Sequence, residues 1–505
     1  MRARDSAAHF GPGRPLDVNA FLAEVKAKPL WFQGATVITM NPAVPELSCG
    51  DVLVQDGTIV AVSADLSGDP RVGDAVTIDC SDLILMPGLV DAHRHAWQTA
   101  FRRLIADADL DAYVASIHGG MALHYTPDDM RIGTLVSMLS ALDSGITTVL
   151  DFSHNSRSRA HSDAVFDAYA QAGGRVVHAS AAPNAGAWEE QWPHDLLRLR
   201  DQHCTGDHSL VTLRMGLDIK RVWPTDRLLA YAREAGLAIT FDGVLGPRAS
   251  SELYDLAQVG ALGPDVTLIH CTDLSDDVWQ AITDQGVNVT LATTSDQHIG
   301  IATGIPPIQR CRDLGLSPSL STDVEVTLAG DMFTQMRATM AMQRMMLASR
   351  RFHGDEDLPP LMTSRDVVAM ATVNGAQHLG LEGTVGRLGP GLQADLLLLR
   401  AKSLVNLPFN NAFGTVVQGI DSATVDSVFV AGQPRKWAGQ MIDVDVSALA
   451  AEIEESRDRI AAAVGWQLNP LAPPSFSTVR ERSLRAHVDG SQESSRLDSL
   501  TFQDF

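Results

Sequence analysis

The chain has 505 residues, 45% apolar and 20% charged, enough to build one large barrel and a smaller partner unit. Its net charge of −22 repels phosphate backbones, which argues against nucleic acid as a partner and for a small-molecule substrate. No apolar run reaches the roughly 18–20 residues of a membrane span, and five separated cysteines without a CxxC pair fit a cytoplasmic protein with free thiols.

Residues 1–29 read as an irregular arm without the apolar core of a secretory signal. Short β-type runs follow in LWFQGATVITM, GDVLVQDGTIVAV and AVTIDCSDLILMPG, the pattern of a small antiparallel sheet. From LVDAHRH onward, apolar strands alternate with helical stretches such as DRLLAYAREAG and DDVWQAITDQG. After that first strand, the candidates run 145–153, 174–182, 209–218, 237–244, 266–274, 287–295 and 317–325. Eight units predict a parallel (β/α)8 barrel over residues 88–383. Short-strand texture returns in GTVGRLGPGLQADLLLLR and TVDSVFVAGQPRKWAGQ. Residues 30–87 and 384–445 are therefore expected to form one β-sandwich from both chain ends, with the TIM barrel inserted between them. Residues 446–505 read as a final helix and a polar tail. The Met-rich segment DMFTQMRATMAMQRMM and the C-terminal arm make a homodimer the expected assembly.

His93 and His95 in DAHRH stand at i and i+2 of an extended strand, so both imidazoles face one side. A (β/α)8 barrel carries its chemistry at the C-terminal strand ends. There the sequence supplies Asp151 and His154, His178, Asp218, Thr240 and Asp242, His270 and Asp323, on strands 2, 3, 4, 5, 6 and 8. A lone strand-end histidine is more often a satisfied, half-buried side chain. So many imidazoles and carboxylates on one rim point instead to a metal site. Such ligands suit zinc, iron or manganese, and an ion bound with an open position acidifies its water. Asp323 would then ligate the metal and carry a proton from attacking water to leaving group, while His270 orients that water or polarises the substrate.

Four segments, MPGLVDAHRHAWQTAFRR, IHCTDLSDDVWQAI, LSTDVE and EGTVGRLGPGLQADLLLL, together resemble the amidohydrolase superfamily in its cytosine-deaminase-like branch, over roughly residues 30–445. The last is similar to that branch's G-x-L-x-x-G-x-x-A-D pattern, here Gly386, Leu388, Gly391, Ala394 and Asp395. The resemblance implies His93 and His95 as metal ligands, His270 as a contact to reacting water or substrate, and Asp323 as ligand and proton shuttle. It departs on strand 5. There the branch has a metal-binding His and, three residues on, a ring-protonating Glu; this chain has Asp242 and Leu245.

Three readings of Asp242 stay open. It ligates in place of the His, it is the general acid/base while His270 moves onto the metal, or it is a solvated strand-end residue beside a weak or lost metal site. Leu245 leaves its position without a proton donor. The loop after strand 7 offers Asp296, Gln297 and His298, with His298 the candidate replacement. Trp97, Gln98, Arg102, His154 and Asp218 are candidate substrate contacts, and His118 and His124 lie in a segment suited to a lid. The expected activity is metal-dependent hydrolysis of a non-peptide C–N bond, by a deaminase or cyclic amidase, in a small heterocyclic molecule. One divalent metal per chain is expected, zinc first, with iron or manganese compatible. A lyase, decarboxylase or hydratase on the same scaffold, or a metal-free binding barrel, are the rivals.

Overall fold

Eight parallel strands follow one another around a single sheet in the computed structural model, which describes residues 18–25, 27–189, 191–206, 209–218 and 225–471. Barrel strands 1 to 8 are Leu89–Arg94, Ile146–Ser153, Arg175–Ser180, Val211–Asp218, Ala238–Leu245, Val266–Thr272, Asn288–Leu291 and Ser319–Leu320. A parallel bridge between Arg94 and Asp323 closes the ring. The Asp323 N–H donates to the His93 carbonyl at 3.0 Å, and the His95 N–H donates to the Asp323 carbonyl at 3.1 Å. The barrel is thus sealed, at its functional end, by the backbone of three candidate site residues.

Strands 7 and 8 are shorter than the sequence pattern predicts. After Leu291 the chain turns at once into a short helix, Thr293–Ser295. After Leu320 it reaches Asp323, whose φ of 58° is incompatible with continued extension. Elsewhere the local signals hold. Helix Pro127–Asp143 starts with a capping box between Thr126 and Asp129, and helix Arg159–Ala172 stops at Gly173, whose φ of 67° only glycine adopts at little cost.

The second sheet has nine strands drawn from both chain ends. Leu83–Pro87 pairs antiparallel with Leu396–Arg400 and parallel with Leu30–Val37. The sheet is therefore mixed where the sequence pattern suggested antiparallel pairing throughout; Leu30–Val37 also runs parallel to Val76–Asp79. Phe32, Leu85, Leu396, Phe429 and Trp437 share its core. Asp395 ties the sheet to the barrel, taking the Arg175 guanidinium of strand 3 through both carboxylate oxygens and the Ala431 N–H. This buried bidentate pair explains the Ala-Asp of the Gly-rich closing segment.

Helix Val446–Val464 docks on the barrel through Ser456, whose hydroxyl donates to Asp129 at 2.6 Å. The expected N-terminal arm and polar tail lie mostly outside the described residues. Among the described residues no helix is long and apolar enough to cross a membrane.

Candidate metal centre

The site begins with two irregularities in otherwise regular strands. The register of strand 1 against strand 2 shifts between Asp91 and Arg94, and that of strand 5 against strand 6 shifts between Phe241 and Val244. Such bulges re-aim side chains next to functional sites. The first holds His93; the second holds Asp242 and Gly243, whose φ is 66°. The His93 and His95 rings stand 4.6 Å apart, and their Nε2 atoms lie 3.2 and 3.4 Å from Asp323 Oδ1. Asp242 approaches from across the barrel: Oδ1 is 3.6 Å from His93 Nε2 and Oδ2 is 3.4 Å from His95 Nε2.

These distances test whether a metal fits. Donor atoms at about 2.0–2.2 Å from one shared ion stand roughly 3.0–3.7 Å from their neighbours. His93 Nε2 and Asp323 Oδ1 are buried, yet neither makes a hydrogen bond although they are near neighbours. They are aimed at a common point rather than at each other. The His95 Nδ1–H donates to the Phe152 carbonyl at 3.1 Å, which leaves the Nε2 lone pair for that point. His93, His95 and Asp323 therefore suit a divalent cation in both chemistry and spacing, and Asp242 enters two overlapping sets, with His93 and His270 and with His95 and His154.

Electrostatics agree. Burial alone would lower the His95 pKa, but Asp242 and Asp323 reverse this and raise it to about 10, so without an ion Nε2 carries a proton that a bound cation would displace. Burial would raise Asp242 and Asp323, and the surrounding imidazoles hold both well below the usual carboxylate range. The pocket keeps two carboxylates ionised and so attracts a cation.

His270, at the end of strand 6, lies beside this set. Its Nε2 is 3.4 Å from Asp242 Oδ1, and its Nδ1 hydrogen-bonds Asp296 Oδ1 at 2.8 Å. His154 stacks on His95 with ring centroids 4.3 Å apart, and its Nδ1 accepts the Trp97 indole N–H at 3.1 Å. The Gln98 amide donates to the Tyr113 hydroxyl at 2.8 Å, and that hydroxyl also meets His118 Nε2. Asp218 is paired in register with Asp242 on the neighbouring strand.

Other candidates do not join the cluster. His298 is solvent-exposed, and its Nε2 is taken by the Ala106 carbonyl at 2.5 Å, because the turn Asp296–Gly300 swings it outward. Arg102 is held by Glu325 at 3.0 Å and by Ser140 at 2.8 Å, so it braces the rim instead of reaching for substrate. Asp151 and His178 face the helical layer, where both hydrogen-bond the Tyr169 hydroxyl.

Two residues had roles that sequence reading missed. Asp296 was read only as one of three residues on a loop that could reach the substrate, yet it is fully buried against His270. Ser295 donates to Asp323 Oδ2 at 2.5 Å. Both follow directly on strand 7, the one barrel strand for which the rim reading assigned no residue.

This metal-ready rim on a (β/α)8 barrel, with its attached sheet, defines a class. The chain belongs to the amidohydrolase family, whose model matches residues 84–217 and 242–435. It is 28% identical over 409 residues to the 5-methylthioadenosine/S-adenosylhomocysteine deaminase of Symbiobacterium thermophilum, covering 77% of this chain and 88% of that one. It is 24% identical over 467 residues to the 5′-deoxyadenosine deaminase of Methanosarcina mazei, covering 86% and 98%. An adenosine deaminase from Xanthomonas campestris, solved with bound zinc, shares the fold at a TM-score of 0.74 and 22% identity, over 86% of this chain and 98% of that one. The chain is a metal-dependent hydrolase of carbon–nitrogen bonds in a small molecule.

Proposed function

We propose that the chain is a hydrolytic deaminase of a small aminated heterocycle, with one zinc ion held by His93, His95, Asp242 and Asp323. The observation that carries the reading is the 3.2–3.6 Å spacing of imidazole and carboxylate atoms turned toward one point. A divalent metal bound there supplies the Lewis acid that makes water nucleophilic near neutral pH. Asp323 carries the proton from the attacking water to the departing amine. His270 directs Nε2 toward the reacting centre and steadies charge that develops there. Trp97, Gln98, His154 and Asp218 are the candidate contacts for a planar ring.

Leu245 gives this site its own character. An apolar side chain stands where relatives of the branch have a ring-protonating carboxylate. Opening of a cyclic amide is therefore the second reading, since only the leaving nitrogen then needs a proton and Asp323 supplies it.

The test incubates the enzyme with 5′-deoxyadenosine, 5′-methylthioadenosine, S-adenosylhomocysteine, aminopyrimidines and cyclic amides in oxygen-labelled water. Ammonia release with label in the product is the expected result, abolished in Asp323→Asn. Ring opening without ammonia selects the second reading, and product without label points to a lyase and sinks both.

The reading extends to a cytoplasmic homodimer. The five cysteines are free thiols, which suits a reducing compartment. Met345 and Phe352 expose apolar surface on helix Met332–Phe352 for a second copy. Sedimentation velocity reads that mass directly.

A further inference from the structure

Two consecutive residues, Ser295 and Asp296, each grip one of the two side chains to which the reaction is assigned. Ser295 Oγ donates to Asp323 Oδ2 at 2.5 Å, and Asp296 Oδ1 meets His270 Nδ1 at 2.8 Å. Ser295, Asp296, His270 and Asp323 are all buried. His270 and Asp323 also share an uncommon backbone state, with φ of 73° and 58°. A non-glycine residue held in the left-handed region costs of order 1–3 kcal/mol and persists only where its surroundings fix it. Two such residues, restrained by neighbours on one short turn, form a mechanical unit.

We propose that the Ser295–Asp296 pair is a positioning clamp. Asp296 holds the His270 proton on Nδ1 and so turns Nε2 to the reacting centre. Ser295 occupies Asp323 Oδ2 and so reserves Oδ1 for the metal side. The inference rests on the reaction read above for His270 and Asp323. Its local geometry stands without that reading, because both bonds exist whatever the substrate. Asp296 Oδ2 is buried without a hydrogen-bond partner among the described residues, so the carboxylate is committed to His270 alone. A carboxylate behind an imidazole fixes ring tautomer and orientation, as in carboxylate–histidine pairs generally. The clamp also explains why strand 7 stops early: the helical turn Thr293–Ser295 brings both side chains back toward the barrel axis.

The experiment uses the full chain with selectively 15N-labelled histidine, and His270→Asn assigns the resonance. In the zinc-loaded wild type the neutral His270 ring is expected to carry its one proton on Nδ1 and none on Nε2. Finding that nitrogen unprotonated overturns the proposal with no variant needed. Asp296→Asn preserves shape but presents an amide; it is expected to lower kcat at least tenfold, with KM changed less than threefold and zinc content equal to wild type. Ser295→Ala is expected to raise the zinc dissociation constant at least tenfold. Gln297→Ala, an exposed neighbour, is the control and is expected to change neither. Smaller effects in Asp296→Asn and Ser295→Ala overturn the clamp. A wild type without hydrolytic turnover contradicts the reaction assigned above, while the tautomer and the zinc affinity still decide the clamp.

Discussion

That His93 and His95 share a face was legible in the sequence, because the i and i+2 spacing on a strand needs no tertiary information, whereas Asp323 was legible only as the polar residue closing the eighth strand unit. Asp242 was legible as a strand-end carboxylate, but its role was not; only the bulge at Asp242–Gly243 turns it toward the two histidines. The His270–Asp296 pair spans 26 positions and two barrel strands, so no local pattern announces it. His298 shows the converse: a histidine in the right loop, aimed outward by a turn whose sense the sequence does not encode simply. His298→Ala is accordingly expected to keep kcat/KM within about twofold of wild type, since an exposed side chain bonded to a carbonyl adds nothing to the transition state. A tenfold loss in steady-state assays would return it to the site.

At the scale of elements, strands 1 to 6 follow their apolar runs, whereas strands 7 and 8 are cut short to deliver Ser295, Asp296 and Asp323. Function overrides periodicity there, as expected where a site is built from strand ends. The joint between the two sheets is equally local. Gly88 separates sheet strand Leu83–Pro87 from barrel strand 1, and its N–H donates to the Asp395 carbonyl at 2.9 Å. A Cβ at this position would lie 2.0 Å from Thr147 Oγ1 and 2.7 Å from Thr147 Cβ. Thr147 is β-branched and buried, so it has no alternative rotamer to yield cheaply. Gly88→Ala is expected to cost about 1–3 kcal/mol of stability by overpacking. The denaturant midpoint reads this, and an unchanged midpoint would mean that the joint gives more freely than the geometry allows.

Across the whole molecule, one set of strands from both chain ends and one barrel were foreseeable from texture, but the mixed sheet was not, because strand direction depends on connections beyond any local window. The interior also stores a pH dependence. Burial drives His178, and likewise His378, from the ordinary 6.5 down to about 3, helped by His203 and Arg214 respectively. The unfolded chain therefore binds these protons first. Stability is full above pH 6.5 and declines as pH falls toward 3. Between pH 6.5 and 5, above the carboxylate range, each histidine is expected to remove about 1.5 kcal/mol. Equilibrium unfolding of metal-free wild type and His378→Asn checks this: the variant should lose less stability over that interval, and parallel curves would refute the assignment.

The claim on which the rest depends is that Asp242 replaces a histidine as the fourth metal ligand. Elemental analysis of wild type beside Asp242→Ala tests it most directly. About one zinc per chain in the wild type, lost in the variant, is the predicted result. Zinc fully retained by Asp242→Ala would contradict it and shift the fourth ligand to His270, and a wild type that binds no divalent metal would contradict the metal centre itself.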